Sequence, residues 1–351
     1  MQIAIAAIIA GREARAAQQT TTQAESDAYR VIDLGTGNGN WSSAWHINNR
    51  SQVLWTWATA PDPSAIAPRT TDNHVVLASP DGATDLTDLG ITSAIGINDR
   101  GEVLGRNLGD VFLYQSSIGD VQSLPELGMN ATLSGINDAG AMVGTAFGQA
   151  VVVENGQSTT VSPPVGYDRL WTGAIANSGS IAATAVIGNG PGDQRAALIV
   201  NGHATVLGSA PAANGSVGVD VNEFNQLIAQ PELAGARGLT QAGGSFVYDH
   251  ETGRTTNIGR LPGYTNVVAS AINNSGQVVG YAWLPADDSQ SFHRAFLYDY
   301  RTDALTDLNT LIDPMAGLVL FAALDINDAG QIVGRGLING EMHAFVLMPN
   351  S

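Results

Sequence analysis

The 351-residue chain has no cysteine and no lysine. The first absence removes thiol nucleophiles, disulfide bridges, iron–sulfur ligation and cysteine zinc sites. The second removes Schiff-base chemistry, a lysine-bound pyridoxal cofactor and a Walker A phosphate loop. Charged residues are scarce at 13% and aromatic ones scarcer at 6%, a profile that disfavours coiled coils. Positive charge is the scarcest resource: 15 arginines stand against 32 acidic residues, a net charge of −17. Nucleic-acid affinity rests on clustered cations that neutralise phosphates, so a polyanionic partner is excluded and neutral or cationic partners are favoured. No apolar run is long enough to span a membrane.

What is present points to architecture. Hydrophobic residues make up 44% of the chain, and its 41 glycines exceed the usual share of about 7%. The length exceeds the ~250–300 residues at which one ordinary core stops growing, so two domains or a repeat array are required. At the N-terminus, Ile3 to Ala10 form a short apolar run, and Ala14-Arg15-Ala16 fits a small-x-small cleavage pattern. No basic residue precedes that run, and Arg12, Glu13 and Arg15 crowd the cleavage region. The layout favours a secretory leader, followed by a polar linker from Gln18 to Asp27. Residues 1–27 are therefore expected to be leader and linker, and residues 28–351 a repeat domain exported to the periplasm, cell surface or medium.

The string AINNSGQVVGYA (Ala271 to Ala282) recurs at Gly96 to Arg106, Gly135 to Ala146 and Asp325 to Gly336. Weaker copies lie at His46 to Trp57, Ala174 to Ala185 and Asp220 to Gln230. The anchoring aliphatics, Ile47, Ile97, Ile136, Ile175, Val221, Ile272 and Ile326, are spaced 50, 39, 39, 46, 51 and 54 residues apart. Such spacing is that of four-stranded propeller blades, roughly 40–50 residues each. Within a unit, a strand ends at Ile-Asn and N-[DN]-x-G makes a tight turn, with Gly in the left-handed position. A buried second strand follows, then a third such as AFLYD (Ala295 to Asp299) and a fourth ending in LTDLN (Leu305 to Asn309). The last unit ends after its third strand, HAFVLM (His343 to Met348), whereas RVIDLG (Arg30 to Gly35) is a fourth strand without predecessors. Pairing the two removes both exposed edges. The predicted fold is all-β: a seven-bladed propeller with four antiparallel strands per blade, its ring closed by the N-terminal strand in the last blade.

INNSGQVVG followed by HRAF (His293 to Phe296), and INDAGQIVG followed by HAF (His343 to Phe345), resemble the HAF-repeat proteins, a bacterial family of extracellular repeats. Nearly the whole chain shares the resemblance, but the other third strands are read as lacking that histidine. The resemblance implies export and a repeat β architecture, and no established activity.

Binding groups concentrate on the variable loops of a rigid scaffold. The longest are Thr59 to Asn73, Ser162 to Trp171, Gln230 to Gly243, Leu284 to His293 and Asn309 to Phe321. Trp41, Trp171, Trp283, Tyr167 and Tyr264 lie in or beside them and suit sugar stacking, while Asp168, Arg169, Arg260, Asp287 and Asp288 suit hydroxyls. The plain alternative is that these aromatics cover the blade ends. A second candidate is the column before the anchoring aliphatic, where small residues give way to His46, Asp220 and Asp325. A histidine–carboxylate pair there is a candidate general base or metal site, or a satisfied hydrogen bond in a wet channel. The N-[DN]-x-G side chains lack the spacing of a calcium loop and fit turn chemistry. Gly35 to Gly39 is a glycine-rich loop without the following helix that a dinucleotide requires. The four tryptophans Trp41, Trp45, Trp55 and Trp57 set the first unit apart, Trp55 standing where other copies have Gly105, Gly144, Gly280 and Gly334.

No cofactor is indicated, and the metal requirement is unspecified. The leading expectation is a monomeric, non-catalytic module that binds a carbohydrate or protein on its loop-rich face. The alternative is an extracellular hydrolase, lyase or lactonase with a central-channel site built on His46, Asp220 and Asp325.

Overall fold

The computed structural model describes residues 28–61, 71–124, 131–188, 192–208, 215–231, 244–284 and 293–350. The leader and linker expected over 1–27 lie outside them, as do Asp287 and Asp288. Strand β1 (Tyr29–Gly35) comes first. The first repeat is β2 (Trp41–Ile47), β3 (Val53–Thr59), β4 (Thr71–Ser79) and β5 (Gly82–Asp85). The second is β6 (Ser93–Ile97), β7 (Glu102–Asn107), β8 (Asp110–Gln115) and β9 (Asp120–Ser123). Then come β10 (Thr132–Ile136), β11 (Met142–Ala146), β12 (Gln149–Glu154) and β13 (Gln157–Val161). The fourth has β14 (Arg169–Ile175), β15 (Ile181–Val186), β16 (Gln194–Val200) and β17 (His203–Val206). The fifth has β18 (Ser216–Val221), β19 (Gln226–Pro231), β20 (Phe246–Asp249) and β21 (Arg254–Asn257). The sixth has β22 (Asn266–Ile272), β23 (Gln277–Trp283), β24 (Arg294–Asp299) and β25 (Ala304–Asp307). The last has β26 (Val319–Ile326), β27 (Ile332–Ile338) and β28 (Glu341–Pro349).

The second to sixth repeats each form a separate four-stranded antiparallel sheet. The three strands of the last repeat take β1 as a fourth: it runs antiparallel to β28, with Val31 opposite Leu347 and Asp33 opposite Phe345. A single parallel pairing, Trp41 with Met342, joins this group to the first repeat. Helix among the described residues is limited to 3-10 turns of three residues, as at Thr87–Leu89, and none is long and apolar enough to cross a membrane.

Each first strand carries a β-bulge, as between Ala44 and His46 and between Ala323 and Asp325. A bulge re-aims the side chains that follow it. At the turn, Asn48 Oδ1 accepts the N–H of Arg50 (3.0 Å) and of Gln52 (2.9 Å), and Asn98, Asn222 and Asn273 repeat the pattern. The turn's fourth position has φ +77° at Gly101 and +75° at Gly330. In the weaker copies Ser51 (φ 58°) and Asn225 (φ 57°) hold that left-handed conformation, which is uncommon without glycine.

The glycine of the second strand has a packing role. Gly105 pairs with Phe112, Gly280 with Phe296 and Gly334 with Phe345. A Cβ at Gly334 would lie 2.0 Å from the Ala322 carbonyl oxygen and 2.8 Å from the Phe345 ring. The first repeat inverts the arrangement: Trp55, 1% exposed, pairs with Val76. A phenylalanine on the third strand faces the small second-strand residue in the second, fifth, sixth and last repeats, whereas in the first repeat the ring is carried by the second strand. That accounts for the bulk at Trp55.

The register corrects one reading of the HAF pattern. His74, opposite Trp57, stands in the first repeat where His343, opposite Gly336, stands in the last. The histidine is thus present in a third strand whose Val75-Val76 hides the likeness. In the sixth repeat Arg294, opposite Ala282, takes this column instead of His293. The column faces an aspartate on the neighbouring fourth strand. His74 Nδ1 lies 2.6 Å from Asp85 Oδ2, His343 Nδ1 2.9 Å from Asp33 Oδ1, and Arg294 Nε 3.8 Å from Asp307 Oδ2. A polar cross-strand pair of this kind ties the third and fourth strands in register.

Candidate functional site

At the turn end of the first strands, hydrogen bonds run from repeat to repeat. Asn48 Nδ2 donates to the carbonyl oxygen of Asn98 (2.8 Å), Asn98 to Asn137 (2.9 Å) and Asn137 to Ala176 (3.1 Å). Asn222 donates to Asn273 (3.0 Å), Asn273 to Asn327 (3.0 Å) and Asn327 back to Asn48 (2.9 Å). Only Ala176, which has no amide, breaks the series. One residue further on, the backbone N–H of Asn49 donates to Asp99 Oδ1 (2.7 Å), Asp99 to Asp138 (2.6 Å) and Asp138 to Asn177 (2.7 Å). Asn177 donates to Glu223 (2.6 Å), Glu223 to Asn274 (2.9 Å), Asn274 to Asp328 (2.9 Å), and Asp328 to Asn49 (2.8 Å), where the cycle began. These side chains and the anchoring aliphatics line a cavity of about 160 Å³. Burial raises the Asp138 carboxyl above the usual carboxylate range, and the charge of Asp99 adds to the shift. Turn chemistry therefore accounts for these residues and for the contacts between repeats. Among the described residues no three His, Asp or Glu side chains are arranged to hold a metal ion.

The next residues back along the first strands are the channel candidates. His46 Nδ1 lies 3.7 Å from Asp325 Oδ2, too far for a hydrogen bond. Asp325 instead accepts the backbone N–H of Ile326 (2.8 Å) and, across the junction, that of Ile47 (2.9 Å). Asp220 does the same, accepting from Val221 (2.8 Å) and from Ile272 of the next repeat (3.0 Å). Burial pushes the Asp220 carboxyl up to about 7, and the Asp325 charge reinforces this against the pull of both N–H groups and His46. Both carboxylates act as clasps between neighbouring repeats, with each oxygen engaged.

The loop candidates do not converge. Trp41 is buried at 4%, packed with Ala58, Phe321 and Met342. Tyr167, Asp168, Arg169 and Trp171 form a group of their own in the fourth repeat. There the Arg169 guanidinium lies over the 39%-exposed Trp171 ring at 5.5 Å and donates to the Gly188 carbonyl oxygen, while Asp168 accepts from Gly188 N–H (3.0 Å). Tyr167 packs partly against the core of that repeat. Arg260 is exposed, and Tyr264 half-covers the core of the sixth repeat.

Trp283 belongs to a different assembly, most of which sequence reasoning did not single out. His293 stacks on Tyr281 (centroids 5.6 Å apart), on Trp283 (6.4 Å) and on Phe321 of the last repeat (4.9 Å). Beside them the Arg335 guanidinium lies over the Trp45 ring at 5.6 Å. This cluster lies at the far end of β23 from its turn, where the second strand leads into the third. Burial, helped by the positive charge of Arg335, lowers the His293 imidazole to about 4, so it is neutral at neutral pH. Burial also lowers Arg335 to about 10 and raises Tyr281. A sequence signal existed: Tyr281 and Arg335 both follow the second-strand glycine, a column otherwise read as Thr56, Arg106, Thr145, Thr184 and Gln230.

Comparison with solved structures identifies the class. The β-propeller domain of the Trilobed protease from Pyrococcus furiosus matches with a TM-score of 0.55 at 8% identity, over 89% of this chain and 96% of that one. An acylaminoacyl peptidase from Pyrococcus horikoshii matches at 0.53 and 10% identity, over 91% of this chain and 54% of the peptidase. The extracellular domain of a protein from B. thetaiotaomicron matches at 0.52 and 10% identity, over 90% of this chain and 39% of that one. The chain is a β-propeller built of repeated four-stranded blades. It belongs to the family described as "Protein of unknown function (DUF3466)", whose model matches residues 165–346, just over half of its length. No curated protein matches it.

Proposed function

We propose that the protein is an exported seven-bladed propeller, closed by β1 in its last blade, that serves as a binding module for a carbohydrate or protein ligand on its loop-rich face. The observation that carries the binding reading is the aromatic assembly of Tyr281, Trp283 and His293 from the sixth repeat and Trp45 from the first, half-buried rings that meet around Arg335 of the last repeat. Half-buried rings with an accessible face suit sugar C–H surfaces or apolar side chains. The closed ring is supported by the β1–β28 pairing and by the hydrogen-bond cycle that returns to Asn49. Export is supported by the apolar run Ile3 to Ala10 with Ala14-Arg15-Ala16 after it, and kinship with HAF-repeat proteins by the His343 and Phe345 roles. A channel enzyme is disfavoured, because Asp220 and Asp325 already accept backbone N–H groups with both oxygens.

The test is thermal unfolding of the chain against soluble polysaccharides and divalent metals, with and without chelator. A ligand that binds only the native state raises the midpoint. The expected result is a rise with one glycan class, independent of metal, abolished by Trp283→Ala and retained by His46→Ala. A chelator-sensitive rise that disappears in His46→Ala would replace this reading with the channel enzyme.

A further inference from the structure

Arg335 is 8% exposed, and its Nε has no hydrogen-bond partner. Among the described residues its guanidinium makes no ion pair; its one specific contact is the Trp45 ring. Arg106 stands in the same column of the second repeat, and there the guanidinium donates to the Leu133 carbonyl oxygen of the following repeat at 3.0 Å. Position alone therefore does not condemn an arginine to go unpaired. A buried charge without a partner is costly, and a guanidinium presents five donors in a fixed fork that matches a carboxylate.

Around that fork stand groups of two other kinds. Tyr281 and His293 supply a phenol and a neutral imidazole, both able to exchange hydrogen bonds with hydroxyls. Tyr281, Trp283 and Trp45 supply half-buried ring faces. One fixed positive charge, two neutral polar groups and flat apolar surfaces are the complement of a sugar bearing one carboxylate. We propose that Arg335, Tyr281, His293 and Trp45 form a uronic-acid subsite, the guanidinium taking the carboxylate and the rings and polar groups taking the pyranose. This deepens the binding reading above and rests on it. It also reverses, at one point of the surface, the preference for neutral or cationic partners that a net charge of −17 sets for the whole molecule.

The experiment is calorimetric titration of the full chain with D-glucuronate, D-glucose and benzoate, repeated on Arg335→Met and Tyr281→Phe. Glucuronate is expected to bind at least about tenfold more tightly than either comparator, the range for a charge-assisted pair. Arg335→Met should erase that preference without lowering the unfolding midpoint, because it removes an unpaired charge. A merely structural arginine would lower the midpoint and leave the preference intact. Tyr281→Phe should weaken glucuronate by about threefold or more. It decides the matter if Arg335→Met fails to fold, since unchanged affinity in it overturns the proposal. Equal binding of glucuronate and glucose, or benzoate binding as well as glucuronate, also overturns it. No binding by any of these probes refutes the uronate subsite, whereas the module reading falls only if the polysaccharide panel above also leaves the unfolding midpoint unmoved and Trp283→Ala changes nothing.

Discussion

At the scale of single residues, the recurring asparagine has two tasks. Its Oδ1 closes the turn of its own repeat, and its Nδ2 reaches the carbonyl oxygen of the next. Ala176 performs neither and leaves the junction toward Asn222 one bond short. Ala176→Asn should supply that bond and stabilise the protein by about 0.5–1.5 kcal/mol, the usual net worth of a hydrogen bond. Chemical denaturation checks it through a higher midpoint at unchanged slope. The turn role was legible in the sequence, because it depends on four neighbouring residues. The second role was not, since the acceptor of Asn327 lies in Asn48, 279 positions away. The same distance problem hid the proposed uronate subsite: Trp45 and Arg335 each stand out in their own repeat, but they meet only after the first and last repeats come together, which no local pattern shows.

At the scale of the strand, the first repeat keeps a large ring at the second-strand/third-strand pair while moving it from one strand to the other. Glycine on the second strand with phenylalanine on the third is exchanged in the first repeat for Trp55 with Val76. Trp55→Gly alone opens a cavity and should cost about 3–5 kcal/mol. Adding Val76→Phe rebuilds the arrangement of the second, sixth and last repeats and should recover about half or more of that loss. Urea unfolding of the single and double variants measures the coupling, and an additive result would rule out the exchange. Strand order and turn positions were readable from periodicity, but pair exchange was not, because a one-dimensional alignment compares like positions and misses a ring that has crossed to the neighbouring strand. His74 escaped notice for the same reason: register identifies it, whereas its sequence neighbours Val75 and Val76 disguise it.

At the scale of the whole molecule, the proposed closure depends on β1. Deleting residues through Gly35 uncovers β28 along its length, including the positions facing Val31 and Asp33. The unfolding midpoint should drop by more than about 10 °C, and light scattering should register association through the bared edge. A shortened chain that stays monomeric with an unchanged midpoint would refute closure by this strand. The backbone cycle at the mouth of the turn-lined cavity has a different consequence. Every donor in it is a main-chain N–H, and every acceptor is a side-chain oxygen, supplied without distinction by Asn49, Asp99, Asp138, Asn177, Glu223, Asn274 and Asp328. Amide and carboxylate are interchangeable in that duty, so the electrical character of the mouth is decoupled from the fold. The scaffold can drift between a neutral and a strongly acidic opening by substitutions that leave its geometry alone, which gives this architecture an adjustable charge at that cavity and little structural reason to settle on one value.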